Sequence, residues 1–153
     1  MTAFPSPPEG ILDGAIHRYA LRVFYDDTDA GGVVYHANYL RWFERARSDL
    51  LERLGIDQRA ALDAGEGLYT VAEVRIRYLS PARLGDGVVV ETRAETVGRV
   101  SCTLHQTALR GTDRLAEASV KVGFIGSDGK PRRQPQAWQS AFASLLSCPE
   151  GQE

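Results

Sequence analysis

The first periodic segment of the chain is predicted to be a strand. Tyr19, Leu21, Val23 and Tyr25 share one parity, and this period of two is typical of a strand with one buried face. Tyr25 is therefore predicted to face inward. The turn-forming segment 26–32, DDTDAGG, follows directly and predicts a tight loop after the strand.

The next segment has the period of a helix. From Tyr39 to Leu54 apolar residues recur every three or four positions, and charged residues fill the other faces. Gly55 stands where a helix commonly takes a left-handed cap, so the helix is predicted to end there. Residues 57–65 predict one short helical turn before the pattern changes again.

After this point the sequence alternates as strands do. Four segments alternate between apolar and polar residues, at 72–78, 88–95, 100–108 and 116–124. The turns between them are too short for crossover helices, so the sheet is predicted to be antiparallel. One helix must cover the inner face of five strands, and a curved sheet wrapped around a central helix achieves this. The predicted fold class is therefore α+β.

The length of 153 residues argues for a single domain. Residues 1–14 begin with a cluster of Pro and Gly and little periodic apolar content, so they are predicted to form a flexible leader. The folded domain is predicted to span 15–147, with a terminal helix over 135–146, and residues 148–153 are predicted to form a tail.

Composition and charge exclude several classes of protein. The formal net charge of −2 provides no basic field for nucleic acid, so no nucleic-acid partner is expected. No segment is long and apolar enough for a membrane span and no secretory signal is present, so the expected location is the cytoplasm. Cys102 and Cys148 are expected to be ordinary thiols, and Cys102 and His105 point to opposite faces of a strand, so no metal site is expected.

The loop before the helix carries the strongest candidate chemistry. Asp26, Asp27 and Asp29 precede the first backbone N–H groups of the helix, which lack partners and carry the positive end of the helix dipole. Such groups can bind a developing oxyanion while a carboxylate attacks the carbonyl or activates a water. This pairing indicates acyl transfer. The alternative, that the aspartates only form Asx-turns and cap the helix, stays open on spacing alone.

Three motifs identify a family. The run from Tyr25 to Tyr39, YDDTDAGGVVYHANY, together with FERAR at 43–47 and YLSPAR at 78–83, resembles the 4-hydroxybenzoyl-CoA thioesterase family of hotdog-fold proteins. Within it the sequence is most similar to the Tol-Pal-associated acyl-CoA thioesterases of the YbgC type. The resemblance covers most of the folded part and implies the order of strand, helix and four strands that the periodicity predicts.

Carried over residue by residue, the resemblance implies three catalytic residues. The catalytic carboxylate is Asp29, the second aspartate of the DTD motif. The backbone N–H that polarises the thioester carbonyl is that of His36, at the predicted helix start, and the tyrosine four residues before the aspartate is Tyr25. Whether Asp29 acts as a nucleophile or as a general base stays open. No metal or redox cofactor is implied by the resemblance, and CoA is part of the substrate.

The phosphates of a CoA substrate require basic partners. By resemblance these are Arg99, in the turn before the fourth strand, and Arg132 and Arg133, after the fifth, together with Arg83. Each of these arginines fits a role in surface solubility equally well.

The resemblance implies an acyl-CoA thioesterase that releases a free acid and CoA. Family members pair as dimers whose sheets join, with active sites at the interface, and often as dimers of dimers, so a homodimer or homotetramer is expected. Two alternatives stay open. One is an enzyme that acts on acyl groups attached to acyl carrier protein. The other is a hotdog module that binds acyl-CoA without turnover, as a sensor or as a partner of envelope-maintenance proteins.

Overall fold

A computed structural model describes residues 2–146 and contains one antiparallel sheet. The strands are β1 Ile11–Asp13, β2 Ile16–Arg22, β3 Leu68–Tyr78, β4 Gly87–Val97, β5 Ser101–Arg110 and β6 Asp113–Ile125. Their order in the sheet is β1-β2-β4-β5-β6-β3. The strands β1 and β3 therefore form its two edges.

Three helices accompany the sheet, and they confirm the predicted positions. They are α1 Asn38–Arg53, α2 Gln58–Asp63 and α3 Gln136–Leu146. Helix α1 ends before Gly55, whose φ of +78° is the left-handed conformation predicted for the cap. Helix α2 is short, and the Asp57 carboxylate caps it by accepting the Ala60 N–H at 3.0 Å.

The sheet has six strands, where the sequence predicts five. The additional strand, β1, lies inside residues 1–14 and pairs with the start of β2 through Ile11 opposite Arg18. The Asp49 carboxylate of α1 holds the chain beside β1 by accepting the Gly10 N–H at 3.0 Å and by bonding the buried His17 ring at 2.7 Å. A strand of three residues is too short for its alternation to be recognised in the sequence.

The hydrophobic core lies between α1 and the inner face of the central strands. Helix α1 buries a continuous stripe of side chains, namely Tyr39, Trp42, Phe43, Ala46, Leu50 and Leu51. Alternate residues of β4, β5 and β6 are buried against it, as the sequence predicts. Among residues 2–146, none of the helices is both long and apolar enough to cross a bilayer.

The edge strand β3 departs from the predicted one-sided burial. None of its residues is buried, and Val71, Val74 and Tyr78 are 42%, 37% and 45% exposed. The register with β6 also shifts between Val71 and Glu73. The alternation of β3 therefore encodes an apolar face that the single chain leaves uncovered, along an edge with free backbone groups.

Candidate active site

The loop between β2 and α1 folds back on itself as a tight hairpin. Thr28 and Val34 form an antiparallel bridge. The Asp29 N–H donates to the Val33 carbonyl at 2.9 Å, and the Tyr35 N–H donates to the Asp27 carbonyl at 2.9 Å. The hairpin therefore carries Asp29 near its tip and runs from Tyr35 directly into the start of α1.

The two aspartates of the DTD motif have different surroundings. The Asp27 carboxylate accepts the Phe24 N–H at 2.7 Å and the Asn38 side-chain amide at 2.6 Å, so it ties the hairpin to the first residue of α1. The Asp29 carboxylate is exposed, and one of its oxygens accepts the Gly31 N–H at 2.8 Å. Its other oxygen has no hydrogen-bond partner within residues 2–146. Asp27 is thus an anchor, while Asp29 keeps a free oxygen in the hairpin that leads into α1.

The start of α1 is open. Its N-cap residue, Ala37, provides no side-chain hydrogen bond. The Asn38 N–H donates to the Tyr35 carbonyl at 2.8 Å, but within the described chain the N–H groups of His36 and Ala37 have no acceptor. The helix begins at Asn38, so His36 lies just before the N-cap rather than in the first turn. Its free N–H nevertheless lies at the positive end of the helix.

Tyr78 supports the start of α1. The sequence analysis did not predict it as a site residue. Its hydroxyl donates to the His36 carbonyl at 2.8 Å, and its ring lies 5.5 Å from that of Tyr39. A tyrosine hydroxyl is protonated at neutral pH, and burial raises the pKa of Tyr78 further, so the group is a donor here. The signal for Tyr78 was present in the YLSPAR motif, of which it is the first residue.

The inward orientation predicted for Tyr25 is wrong. Strand β2 ends at Arg22, and a 3₁₀ turn over Tyr25–Asp27 replaces the predicted continuation of the strand. The Tyr25 side chain is 83% exposed. Its carbonyl accepts the Thr28 hydroxyl at 2.7 Å, so the backbone of Tyr25 shapes the hairpin while its ring points away from the core of the single chain.

The predicted CoA-binding arginines fall into two places. Arg83 lies beside the hairpin, because it forms a bridge with Val33. Arg99, Arg132 and Arg133 lie together at the other end of the sheet, where the Gln134 N–H donates to the Arg99 carbonyl at 2.8 Å. The eleven residues of β4 separate the two places by roughly 35 Å. A single chain therefore does not bring these three arginines to Asp29.

Cys102 has the properties of a buried structural thiol. Burial raises its pKa to about 11, and the thiol donates to the Gln134 side-chain carbonyl at 3.4 Å. Cys148 lies outside the described residues. Within residues 2–146, no three His, Cys, Asp or Glu side chains converge as a metal site would require.

A curved antiparallel sheet around one long helix, with a carboxylate in the loop before that helix, is the arrangement of hotdog-fold acyl-thioester enzymes. The sequence profile described as Thioesterase superfamily matches residues 31–117. The chain belongs to this superfamily, which confirms the resemblance carried by the three motifs.

Individual relatives agree with this assignment. The chain is 38% identical over 128 residues to the acyl-CoA thioesterase YbgC of Haemophilus influenzae, a match that covers 83% of this chain and 94% of the relative. It is 36% identical over 136 residues to the acyl-CoA thioesterase YbgC of Helicobacter pylori strain J99, covering 83% and 97%. The crystal structure of a probable thioesterase from Bartonella henselae superposes with a TM-score of 0.75 at 33% identity, covering 79% of this chain and all of that one.

Proposed function

We propose that this protein is an acyl-CoA thioesterase in which Asp29 is the catalytic carboxylate. The observation that carries the proposal is the presence of two free groups in the segment of hairpin that leads into α1. The Asp29 carboxylate has an oxygen available for chemistry, and the backbone N–H of His36 is available as a hydrogen-bond donor. Superfamily membership and the YbgC relatives support the same activity.

The thioester carbonyl accepts the His36 N–H, and negative charge that develops on its oxygen lies at the positive end of α1. Asp29 then acts in one of two ways. It attacks the carbonyl carbon, expels the CoA thiolate and forms a mixed anhydride that water hydrolyses. Alternatively, it takes a proton from a water that attacks the same carbon. Both routes end with a free acid and with CoA, whose thiolate takes up a proton.

Tyr78 has a positioning role in this proposal. The His36 carbonyl that its hydroxyl holds belongs to the same peptide plane as the N–H of Ala37. A hydrogen bond to that carbonyl fixes the plane, and therefore the direction of the second free N–H at the helix start. The carbonyl of the substrate then meets donors whose orientation is set before it binds.

We further propose that the enzyme is a homodimer joined along β3. A long, exposed edge with apolar side chains favours pairing with a second strand, and a second copy of the same edge pairs antiparallel to the first. Antiparallel pairing brings the end of β3 near Tyr78 in one chain to the start of β3 in the other. Arg132 lies at that start, since its guanidinium donates to the Glu66 carbonyl at 2.7 Å. The partner's arginine cluster thus reaches the CoA phosphates.

The resemblance to the YbgC group supports three finer proposals. They are a cytoplasmic location, a role alongside the Tol-Pal proteins, and the association of two dimers into a homotetramer. Of the two alternatives, an enzyme that acts on acyl carrier protein would use the same catalytic residues. It would differ from an acyl-CoA thioesterase only at the entrance that admits the phosphopantetheine. The non-catalytic alternative fits less well, because a binding module has no need of a free carboxylate in the hairpin that leads into the open helix start.

The test is the release of free CoA thiol from a panel of short, long and aromatic acyl-CoAs, with the same acyl groups on acyl carrier protein in parallel. We expect turnover of acyl-CoAs. Turnover of the carrier-protein thioesters alone would support the carrier-protein alternative. Binding of acyl-CoA without thiol release would contradict the proposed activity and support a binding module.

A further inference from the structure

A small cavity lies far from the helix start, between the middle of α1 and the beginning of β3. It has an apolar floor and a polar rim, formed among others by Leu51, Leu104, Val122, Arg47, Ser48 and Thr70. An apolar pocket with few polar groups at defined positions is the usual form of a small-molecule site. None of these residues belongs to the proposed catalytic group.

The polar feature of the cavity is Arg47, whose side chain is only 12% exposed. One of its terminal nitrogens donates to the Gln106 side-chain carbonyl at 3.0 Å, and the other donates to Glu44 at 3.0 Å. Gln106 is fully buried and is fixed in turn by donating to the Phe43 carbonyl and to the Thr92 hydroxyl, each at 3.0 Å. The guanidinium is therefore held in one place by a buried network.

The guanidinium retains donors for a further partner. A guanidinium has five N–H groups, and the bonds to Gln106 and Glu44 use only two. Desolvation lowers the pKa of Arg47 below its ordinary value, because the charge has lost water that Glu44, an exposed side chain, does not fully replace. An oxygen acceptor that enters the cavity would meet a fixed and poorly solvated donor.

The cavity is remote from the catalytic group of its own chain but adjoins that of the partner in the proposed dimer. Arg47 follows His36 by eleven residues, or about 16 Å along α1. The cavity lies at the start of β3, beside Tyr69 and Thr70, whereas His36 is bonded to Tyr78 at the end of β3. Antiparallel pairing of the two β3 edges places these two ends next to each other.

We propose that Arg47 determines acyl specificity by binding an oxygen acceptor at the far end of the acyl group while the partner subunit holds the thioester. The substrate class is an acyl-CoA whose acyl group ends in a carboxylate, the usual bidentate partner of a guanidinium. This inference rests on the proposed function and on the β3 dimer. Arg47 contacts the end of the substrate remote from the reacting atoms, so it governs selection between acyl groups and not the bond cleavage.

The first test compares kcat/KM for acyl-CoAs of equal chain length with and without a terminal carboxylate, glutaryl against valeryl and adipyl against hexanoyl. We expect the wild type to favour the carboxylate at one or both lengths by about tenfold or more. Arg47→Met should bring the ratio of kcat/KM for the carboxylate-ended to the methyl-ended substrate close to one. Turnover of the methyl-ended substrates should stay within a few fold of the wild type. Arg45→Met is the matched control, since Arg45 is exposed and lies outside the cavity.

The second test distinguishes action across the interface from action within a chain. A heterodimer carrying Asp29→Asn in one chain and Arg47→Met in the other is purified through two different tags. If Arg47 acts on the partner's site, one site keeps both native residues and the wild-type ratio returns at about half the turnover. If Arg47 acts within its own chain, the only active site lacks it and the ratio stays that of Arg47→Met.

Three results overturn the inference while the proposed function stands. The wild type turns over acyl-CoAs without preferring a carboxylate end, Arg47→Met keeps the wild-type ratio of kcat/KM values, or the heterodimer shows the ratio of Arg47→Met. Absence of any thioesterase activity overturns both. If Arg47→Met does not fold, Ser48→Leu decides, because Ser48 is on the exposed rim and the larger side chain fills the cavity. Its ratio is expected to fall, and an unchanged ratio would contradict the proposal.

Discussion

At the residue scale, the position of an aspartate in the hairpin determines which hydrogen bonds its carboxylate accepts. Asp27 accepts two hydrogen bonds that join the hairpin to α1, whereas Asp29 accepts one local bond from Gly31. Spacing could not assign these roles, because an Asx-turn, a helix anchor and a catalytic carboxylate use the same residue type in the same loop. The family motif predicts Asp29 as the catalytic carboxylate, since it fixes the position within a long run of residues.

Because the two aspartates have different surroundings, we expect their substitution to have different effects on the stability of the protein. Asp27→Ala removes the acceptor from the Phe24 N–H and the Asn38 amide, so we expect the free energy of unfolding to fall by about 1–3 kcal/mol. Asp29→Asn should change it by less than about 0.5 kcal/mol, because the site is exposed. Urea denaturation of both variants measures this. Equal losses would contradict the division of roles.

Tyr78→Phe tests the positioning role at the helix start. The variant keeps the ring packing and removes the hydroxyl that holds the His36 carbonyl. We expect kcat to fall about three- to tenfold with KM nearly unchanged, since a donor becomes less well aligned without loss of substrate contacts. A rate equal to that of the wild type would reduce Tyr78 to a packing residue.

At the element scale, long periodic segments were predictable and short or edge segments were not. Helix α1 and the strands β4, β5 and β6 bury the residues that their periods indicate. Tyr25 continued the parity of β2, but the chain turns away at Arg22, and a short run of alternation cannot show where a strand stops. The alternation of β3 correctly predicted a strand, but the predicted burial of its apolar side is wrong for the single chain, which leaves that side uncovered.

The buried thiol of Cys102, which contacts Gln134 just before α3, leads us to expect that the stability of the protein depends on pH. Gln134 accepts the Tyr69 hydroxyl at 2.5 Å and the Cys102 thiol at 3.4 Å, and burial raises the pKa of Cys102 from 9.0 to about 11. The native thiol thus keeps its proton over a range in which the unfolded chain loses it. This contribution to stability is complete below pH 9 and is lost as the pH rises to about 11.

The expected slope is a fall in the free energy of unfolding of about 1.4 kcal/mol per pH unit from this group alone. It is measured by urea denaturation between pH 8 and pH 11 in a Cys148→Ser background, where Cys102 is the one remaining thiol. Cys102→Ala in the same background should be less sensitive to pH just above 9. An identical slope in both proteins would contradict burial of the neutral thiol.

At the scale of the whole molecule, one chain contains the parts of the site but does not bring them together. The arginine cluster and the Arg47 cavity lie at the start of β3, and the proposed catalytic group lies near its end, where Tyr78 bonds the His36 carbonyl. No periodicity reveals this division, because it depends on which edge of the sheet is free. In the proposed dimer, pairing of two β3 edges would unite these parts at two equivalent places.

Val74→Arg tests the dimer, since it adds a charge at the middle of the exposed β3 edge. We expect a folded monomer in analytical ultracentrifugation and at least a hundredfold loss of turnover, about 2.7 kcal/mol of transition-state stabilisation. Thr107→Arg, on the central strand β5, carries the same charge away from the edge and should leave the dimer active. A fully active Val74→Arg monomer would contradict a site shared between chains.

The most direct test of the catalytic assignment is steady-state thiol release by Asp29→Asn, with Asp26→Asn as the control from the same loop. The amide keeps the shape of the side chain and removes the charge that either catalytic route requires. We expect kcat/KM for acyl-CoA to fall by about a thousandfold or more, with an unchanged circular dichroism spectrum and an unchanged oligomeric state. Turnover within about fivefold of the wild type would show that Asp29 does not carry the reaction.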